Sequence, residues 1–177
     1  MVLKSVKTLM LSSALMLVFA SASGAQTLGA GLSFFEGGTG VTIDYAKVHK
    51  TISNDRTLSW VGDFSFHGDE GVNWITLQGG MRMGGQASEK VRWHVQGLVG
   101  ILRASANGAF GDFVDDLCDD LDIDCGASDT SLVITPGGGI DYVIDEKKAV
   151  RAQLDIPFNA DGSGTRFWVG ISLALGR

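Results

Sequence analysis

Eight carboxylates crowd one short stretch of the chain: Asp112, Asp115, Asp116, Asp119, Asp120, Asp122, Asp124 and Asp129 fall within 18 residues that hold no base. Such a cluster repels itself, and a hard divalent cation with six to eight oxygen ligands is the usual remedy. Asp115, Asp116, Asp119, Asp120, Asp122 and Asp124 are therefore the candidate ligands of a Ca2+ ion. The order of an EF-hand loop is absent, and the alternative is a solvated acidic loop with no cofactor at all. Cys118 and Cys125 lie inside the same stretch and are the only two cysteines. In an exported chain their spacing predicts a disulfide that stiffens the loop. A third group, Asp63, Ser65 and His67, holds the residue types of a hydrolase triad. Residues two apart on a strand point the same way about 6.5 Å apart and do not converge, so the sequence predicts no enzyme. No nucleophile elbow, phosphate loop or zinc spacing occurs elsewhere.

The elements that carry these groups follow from the hydrophobic pattern. Lys4 and Lys7 precede a 12-residue apolar run, Leu9 to Ala20, and Ser21-Ala22-Ser23-Gly24-Ala25 supplies small residues before Gln26. This predicts a secretory signal peptide over residues 1–25, the run being shorter than the ~20 residues of a spanning helix. The remainder, residues 26–177, reads as one domain. Losing Lys4 and Lys7 leaves 12 bases against the 20 acids, a formal charge of −8. A chain so acidic does not suit nucleic acid, whose phosphates would repel it.

Within residues 26–177 the apolar residues repeat every second position. Leu58, Trp60, Phe64 and Phe66 alternate with Ser59, Asp63, Ser65 and His67. Val91, Trp93, Val95, Val99 and Ile101 alternate with Arg92, His94, Gln96, Leu98 and Leu102. Val150, Leu154 and Ile156 oppose Arg151, Gln153 and Asp155, and Phe167 to Leu175 repeats the pattern. Period two means strands. With weaker segments at Thr27 to Phe35, Val41 to Ala46, Ile75 to Met83 and Leu132 to Val143, the count is eight. Eight strands close a small antiparallel up-and-down barrel, and ~10 residues per strand cross a bilayer at a ~45° tilt. Pro136 leaves one strand short of a ladder donor. Connections are expected at Glu36 to Gly40, Val48 to Arg56, His67 to Gly71, Gly84 to Lys90, Ile144 to Lys148 and Asn159 to Gly164, with one long acidic loop at 104–131.

Polarity then separates a membrane barrel from a soluble one. The non-apolar face is rich in glycine, with 25 in the chain, which suits a narrow lumen and would cover a wetted surface poorly. Asp44, Asp63, Asp141 and Asp155 share that face with Arg82, Arg92 and Arg151. They predict a luminal ion-pair network, since buried charges persist only when paired. Trp60, Trp74, Trp93, Trp168, Tyr45, Tyr142 and Phe158 suggest aromatic girdles near strand ends.

The segment Pro136-Gly-Gly-Gly-Ile-Asp-Tyr-Val143, the turn Asp145-Glu-Lys-Lys148 and Ala149-Val-Arg-Ala-Gln-Leu-Asp155 together resemble the penultimate hairpin of small OmpA-like and OmpX-like outer-membrane β-barrel proteins of Gram-negative bacteria. The chain departs from that family in ending Leu173-Ala-Leu-Gly-Arg177 rather than on an aromatic residue. The resemblance implies a monomeric barrel in the outer membrane, in contact with its lipid and lipopolysaccharide. Its expected role is structural, adhesive or surface-binding, with the acidic loop meeting an extracellular ligand. The alternatives are a small or gated pore and a soluble periplasmic ligand-binding barrel.

Overall fold

A computed structural model describes residues 25–53, 55–69, 72–106, 128–160 and 162–176. Among them ten strands occur: β1 (Gln26–Phe35), β2 (Gly38–Ser53), β3 (Arg56–Asp69), β4 (Val72–Gln86), β5 (Val91–Ala106), β6 (Ser128–Val143), β7 (Lys148–Asp155), β8 (Phe158–Asn159), β9 (Gly162–Ser163) and β10 (Arg166–Gly176). Each strand from β1 to β7 pairs antiparallel with the next, β7 pairs with β10, and β10 returns to β1. That ring of eight closes the barrel, and β8 and β9 form a small ribbon between β7 and β10. Closure gives every one of the eight strands a partner on both sides, the condition for placing strands in lipid, and the projecting start of β6, residues 128–133, is paired with β5 alone among the described residues.

The strands run further than the hydrophobic pattern indicates. β2, β5 and β6 have 16 residues each. About 10 suffice to cross a bilayer, so these ladders project beyond it. The expected connection at Glu36 to Gly40 shrinks to Glu36 and Gly37, with φ of 51° and 88°. Positive φ at both positions makes a type I′ turn, whose twist matches that of the flanking strands. The ladder takes up most of the expected Val48 to Arg56 connection, because Ser53 pairs with Arg56. The long loop also loses both margins. β5 continues to Ala106 and β6 starts at Ser128, with Ser105 opposite Ser128.

Pro136 sits inside β6 without cost to the ladder. Its carbonyl accepts from the Ile156 amide at 2.9 Å. A strand residue directs its N–H and C=O to the same side, so the missing donor faces the gap where β7 ends at Asp155 and β8 resumes with Phe158 opposite Ile134. The proline and the strand break coincide.

Alternation sorts the side chains as the sequence predicts. Leu32, Val41, Ile43, Trp60, Leu77, Val99, Leu132, Ile134, Ile140, Val150, Leu154, Phe167 and Ile171 are exposed on the outer face, while Asp44, Asp63, Ser65, Gln78, Arg82, Arg151, Gln153, Asp155 and Arg166 are buried inside. This inverts the polarity of a water-soluble protein and fits an outer surface solvated by lipid. The aromatic residues divide differently from expectation. Trp60, Tyr142 and Phe158 are exposed, but Trp168 is fully buried, and Trp74 packs against the interior cluster of Phe35, Leu102 and Val133. Trp74 and Trp168 have luminal parity, which overrides their nearness to strand ends.

Candidate functional site

Glycine makes room for the charges in the lumen. A Cβ on Gly29 would collide with the Asp44 carboxylate, and one on Gly137 with that of Asp155. Gly31 and Gly170 face each other across β1 and β10, so close that a Cβ on either would strike the neighbouring backbone. The glycine-rich face therefore permits both tight curvature and a large buried polar cargo.

That cargo forms two clusters. In the first, Arg151 donates from Nε and Nη2 to the two oxygens of Asp141 at 2.6 and 2.9 Å, and from Nη1 to Asp44 Oδ2 at 2.7 Å. Arg82 pairs with the same Asp44 oxygen. The Arg151 guanidinium also lies 5.8 Å from the ring centroid of Trp168, a cation–π distance. In the second, Arg166 donates to both oxygens of Asp63 at 2.7 and 3.1 Å and to Asp155 Oδ2 at 2.8 Å. Two glutamines join the clusters. Gln96 accepts from Arg82 at 2.6 Å and donates to Asp155 Oδ1 at 3.0 Å. Gln153 accepts from Arg82 at 3.4 Å and donates to Asp155 Oδ2 at 2.8 Å.

Three buried arginines thus face four aspartates. Bidentate pairing and a shared network offset the desolvation that makes isolated buried charges so costly. Further along the lumen, Ser65 meets Thr76, Gln78 donates to Thr135 at 2.7 Å, and Ser33 meets His67 Nε2 at 2.8 Å. Phe35, Trp74, Leu102 and Val133 follow.

The structure brings six of the seven sequence-chosen network residues together and separates one. Arg92 lies next to the β4–β5 turn, where it is exposed and makes no hydrogen bond or ion pair among the described residues. Its parity is luminal, but its height places it at the rim. The base that sequence reasoning missed is Arg166. It precedes Phe167 and so shares the parity of Trp168, Gly170 and Ser172, a signal present in the pattern but lost by starting the strand one residue late. Asp63, Ser65 and His67 line one face without forming a triad, since Asp63 binds Arg166, Ser65 binds Thr76, and His67 binds Ser33. Ser33 and His67 are 0% and 1% exposed, and His67 Nδ1 has no hydrogen-bond partner. Among the described residues no carboxylate orients the imidazole as a triad would require.

The predicted Ca2+ ligands Asp115, Asp116, Asp119, Asp120, Asp122 and Asp124, the Cys118–Cys125 pair and residues 1–24 of the expected signal segment lie outside the described residues. Among those described, no group of three or more metal-ligating side chains occurs.

No protein-family model and no curated protein matches the chain. Solved structures do. Ail, the attachment invasion locus protein of Yersinia pestis, in a complex with the heparin analogue sucrose octasulfate, superposes with a TM-score of 0.57 at 13% identity, over 87% of this chain and 100% of that one. The N-terminal β-barrel domain of Pseudomonas aeruginosa OprF gives 0.55 at 13%, over 88% and 100%. The fold is that of a small outer-membrane β-barrel. The outer membrane enzyme PagL shares it, with a TM-score of 0.52 at 12% identity over 83% and 98% of the two chains. One outer-membrane barrel architecture thus carries different tasks, so the fold alone does not assign one to this chain.

Proposed function

We propose that the chain is a monomeric outer-membrane anchor whose task is surface contact, made through the acidic connection between β5 and β6. The observation that carries this reading is the filled lumen. Joined ion pairs, glutamines and an apolar cluster occupy the interior, which leaves the ends as the surfaces free to act. Short turns mark the periplasmic side of such barrels and longer connections the outer side, so the β5–β6 end faces outward. In sequence, the segments that join the strands at that end contain Glu36, Asp69, Glu70, the eight aspartates of 112–129 and Asp161, with Arg103 near the end of β5.

A surface so acidic selects its partner by sign. Ail was solved with a sulfated heparin analogue. This chain is expected to repel such polyanions and to bind cationic proteins, or anionic lipopolysaccharide through bridging divalent cations. Intact cells displaying the protein should be retained on immobilised polylysine and released by salt. Replacing Asp115, Asp116, Asp119, Asp120, Asp122 and Asp124 with asparagine should abolish retention. Equal retention of both cell types, or preferential binding to heparin, would overturn the proposal.

A further inference from the structure

The end opposite the acidic connection holds a cavity of about 300 Å3 between the ends of β2, β3, β4 and β5. At ~30 Å3 per water molecule it has room for roughly ten waters, or for one small organic ion. Arg82 and Arg151 form its inner wall, Arg92 and Asp55 belong to its rim, and Gly84 and Gly85 keep it open on the β4 side.

The sign of its ligand follows from which charges are already used. Asp141 gives both oxygens to Arg151, and Arg151 spends Nε, Nη1 and Nη2 on Asp141, Asp44 and Ser172. Arg82 commits Nε and Nη2 to Gln96 and Asp44 but leaves Nη1 with no hydrogen-bond partner, although the residue is only 5% exposed. An unmatched buried guanidinium N–H is costly, and a ligand oxygen would satisfy it. Arg92 adds a full positive charge with no ion pair. Among the groups that line the cavity Asp55 is the one carboxylate without a partner, exposed on the β2–β3 turn; the other unpartnered acid oxygen, Asp44 Oδ1, is turned away from the cavity toward Gly29. The balance of spare groups is two cationic donors against one solvated acid.

We infer that this vestibule binds a small oxyanion, a carboxylate or a phosphate, between Arg92 at the rim and the inner Arg82. It is blind rather than part of a path, because the lumen beyond Arg82 is occupied by Gln96, Gln153 and the second ion cluster.

Titration calorimetry on the full protein refolded in zwitterionic detergent, with acetate and inorganic phosphate as probes, tests this. Saturable binding of at least one probe is expected. Arg92→Gln should weaken it about tenfold, the scale of one charge-assisted contact. Thr57→Phe should abolish it by filling the cavity without changing charge. Arg56→Gln, a neighbouring arginine outside the cavity, should leave it unchanged. Arg92→Gln is a rim substitution, and unaltered heat-modifiable gel mobility certifies its fold. If acetate outcompetes phosphate, the source is a carboxylate metabolite; the reverse order points to a phosphate or a lipid headgroup. Absence of saturable binding, equal affinity in Arg92→Gln, or binding of methylammonium in place of either anion would overturn the inference.

Discussion

Arg166 shows what a single residue does when it is the sole base between two buried acids. Asp63 and Asp155 are 2% and 0% exposed and both pair with it. Arg166→Leu would leave two carboxylates buried without compensation, a change that costs about 3–5 kcal/mol. The urea midpoint of the protein refolded in phosphatidylcholine vesicles should fall accordingly. The same measurement on Arg92→Gln should move by less than about 1 kcal/mol, as for any exposed charge. Both arginines have luminal parity in the sequence. Parity reports the side a residue faces but not its height in the barrel or its partner, so Arg92 was legible as inward-facing and illegible as unpaired. Ser33 was equally hidden. Its contact with His67 joins residues 34 apart in sequence, on β1 and β3 rather than on adjacent strands.

At the scale of the strand, alternation was legible wherever one face was continuously apolar. Strand ends were not, because glycines that look like turn residues in a one-dimensional pattern serve the ladder instead. Gly40 pairs with His67, and Gly84 pairs with both Thr57 and His94. The three-dimensional reason for a glycine can be tested by comparing positions. Gly29→Ala and Gly137→Ala place a methyl against the Asp44 and Asp155 carboxylates, and each should cost about 1–3 kcal/mol through overpacking. Gly62 has nothing within 4 Å of its would-be Cβ. Gly62→Ala should be neutral, or stabilising by about 0.5 kcal/mol, since it removes only unfolded-state freedom. The β5–β6 connection belongs to the same scale. Ser105 and Ser128 are already paired, so replacing residues 107–127 with a four-residue Asn-Gly-containing turn should preserve heat-modifiable mobility while removing binding to cationic surfaces.

For the whole molecule, charge is stratified along the barrel axis. The rim near the chain ends carries Lys47, Lys50, Arg56, Lys90, Arg92, Lys147 and Lys148 against Asp55, Glu89, Asp145 and Glu146, the lumen is nearly balanced, and the segments that connect the strands at the opposite end are acidic in sequence. The mean hydropathy of +0.18 and a pI of about 4.9 conceal that order, because they average a lipid-facing belt with a polar lumen and two oppositely charged ends. The stratification and the plug make a joint prediction about ion flow. Asp44, Arg82, Arg151, Gln96, Gln153, Asp155 and Arg166 form a stacked network in the lumen, and an ion crossing it would have to break several buried charge-assisted bonds together. In planar bilayers of phosphatidylcholine at 1 M KCl the wild-type barrel should therefore stay silent or show only brief, small openings. The double substitution Gln96→Ala and Gln153→Ala removes the two side chains that join the clusters and empties space between them, while leaving the Arg166 pairs and the Asp44–Arg151–Asp141 group in place. It should raise open probability and make the current cation-selective, because the lumen then exposes four aspartates against three arginines. Steady large conductance from the wild type would sink the plug as an account of the lumen.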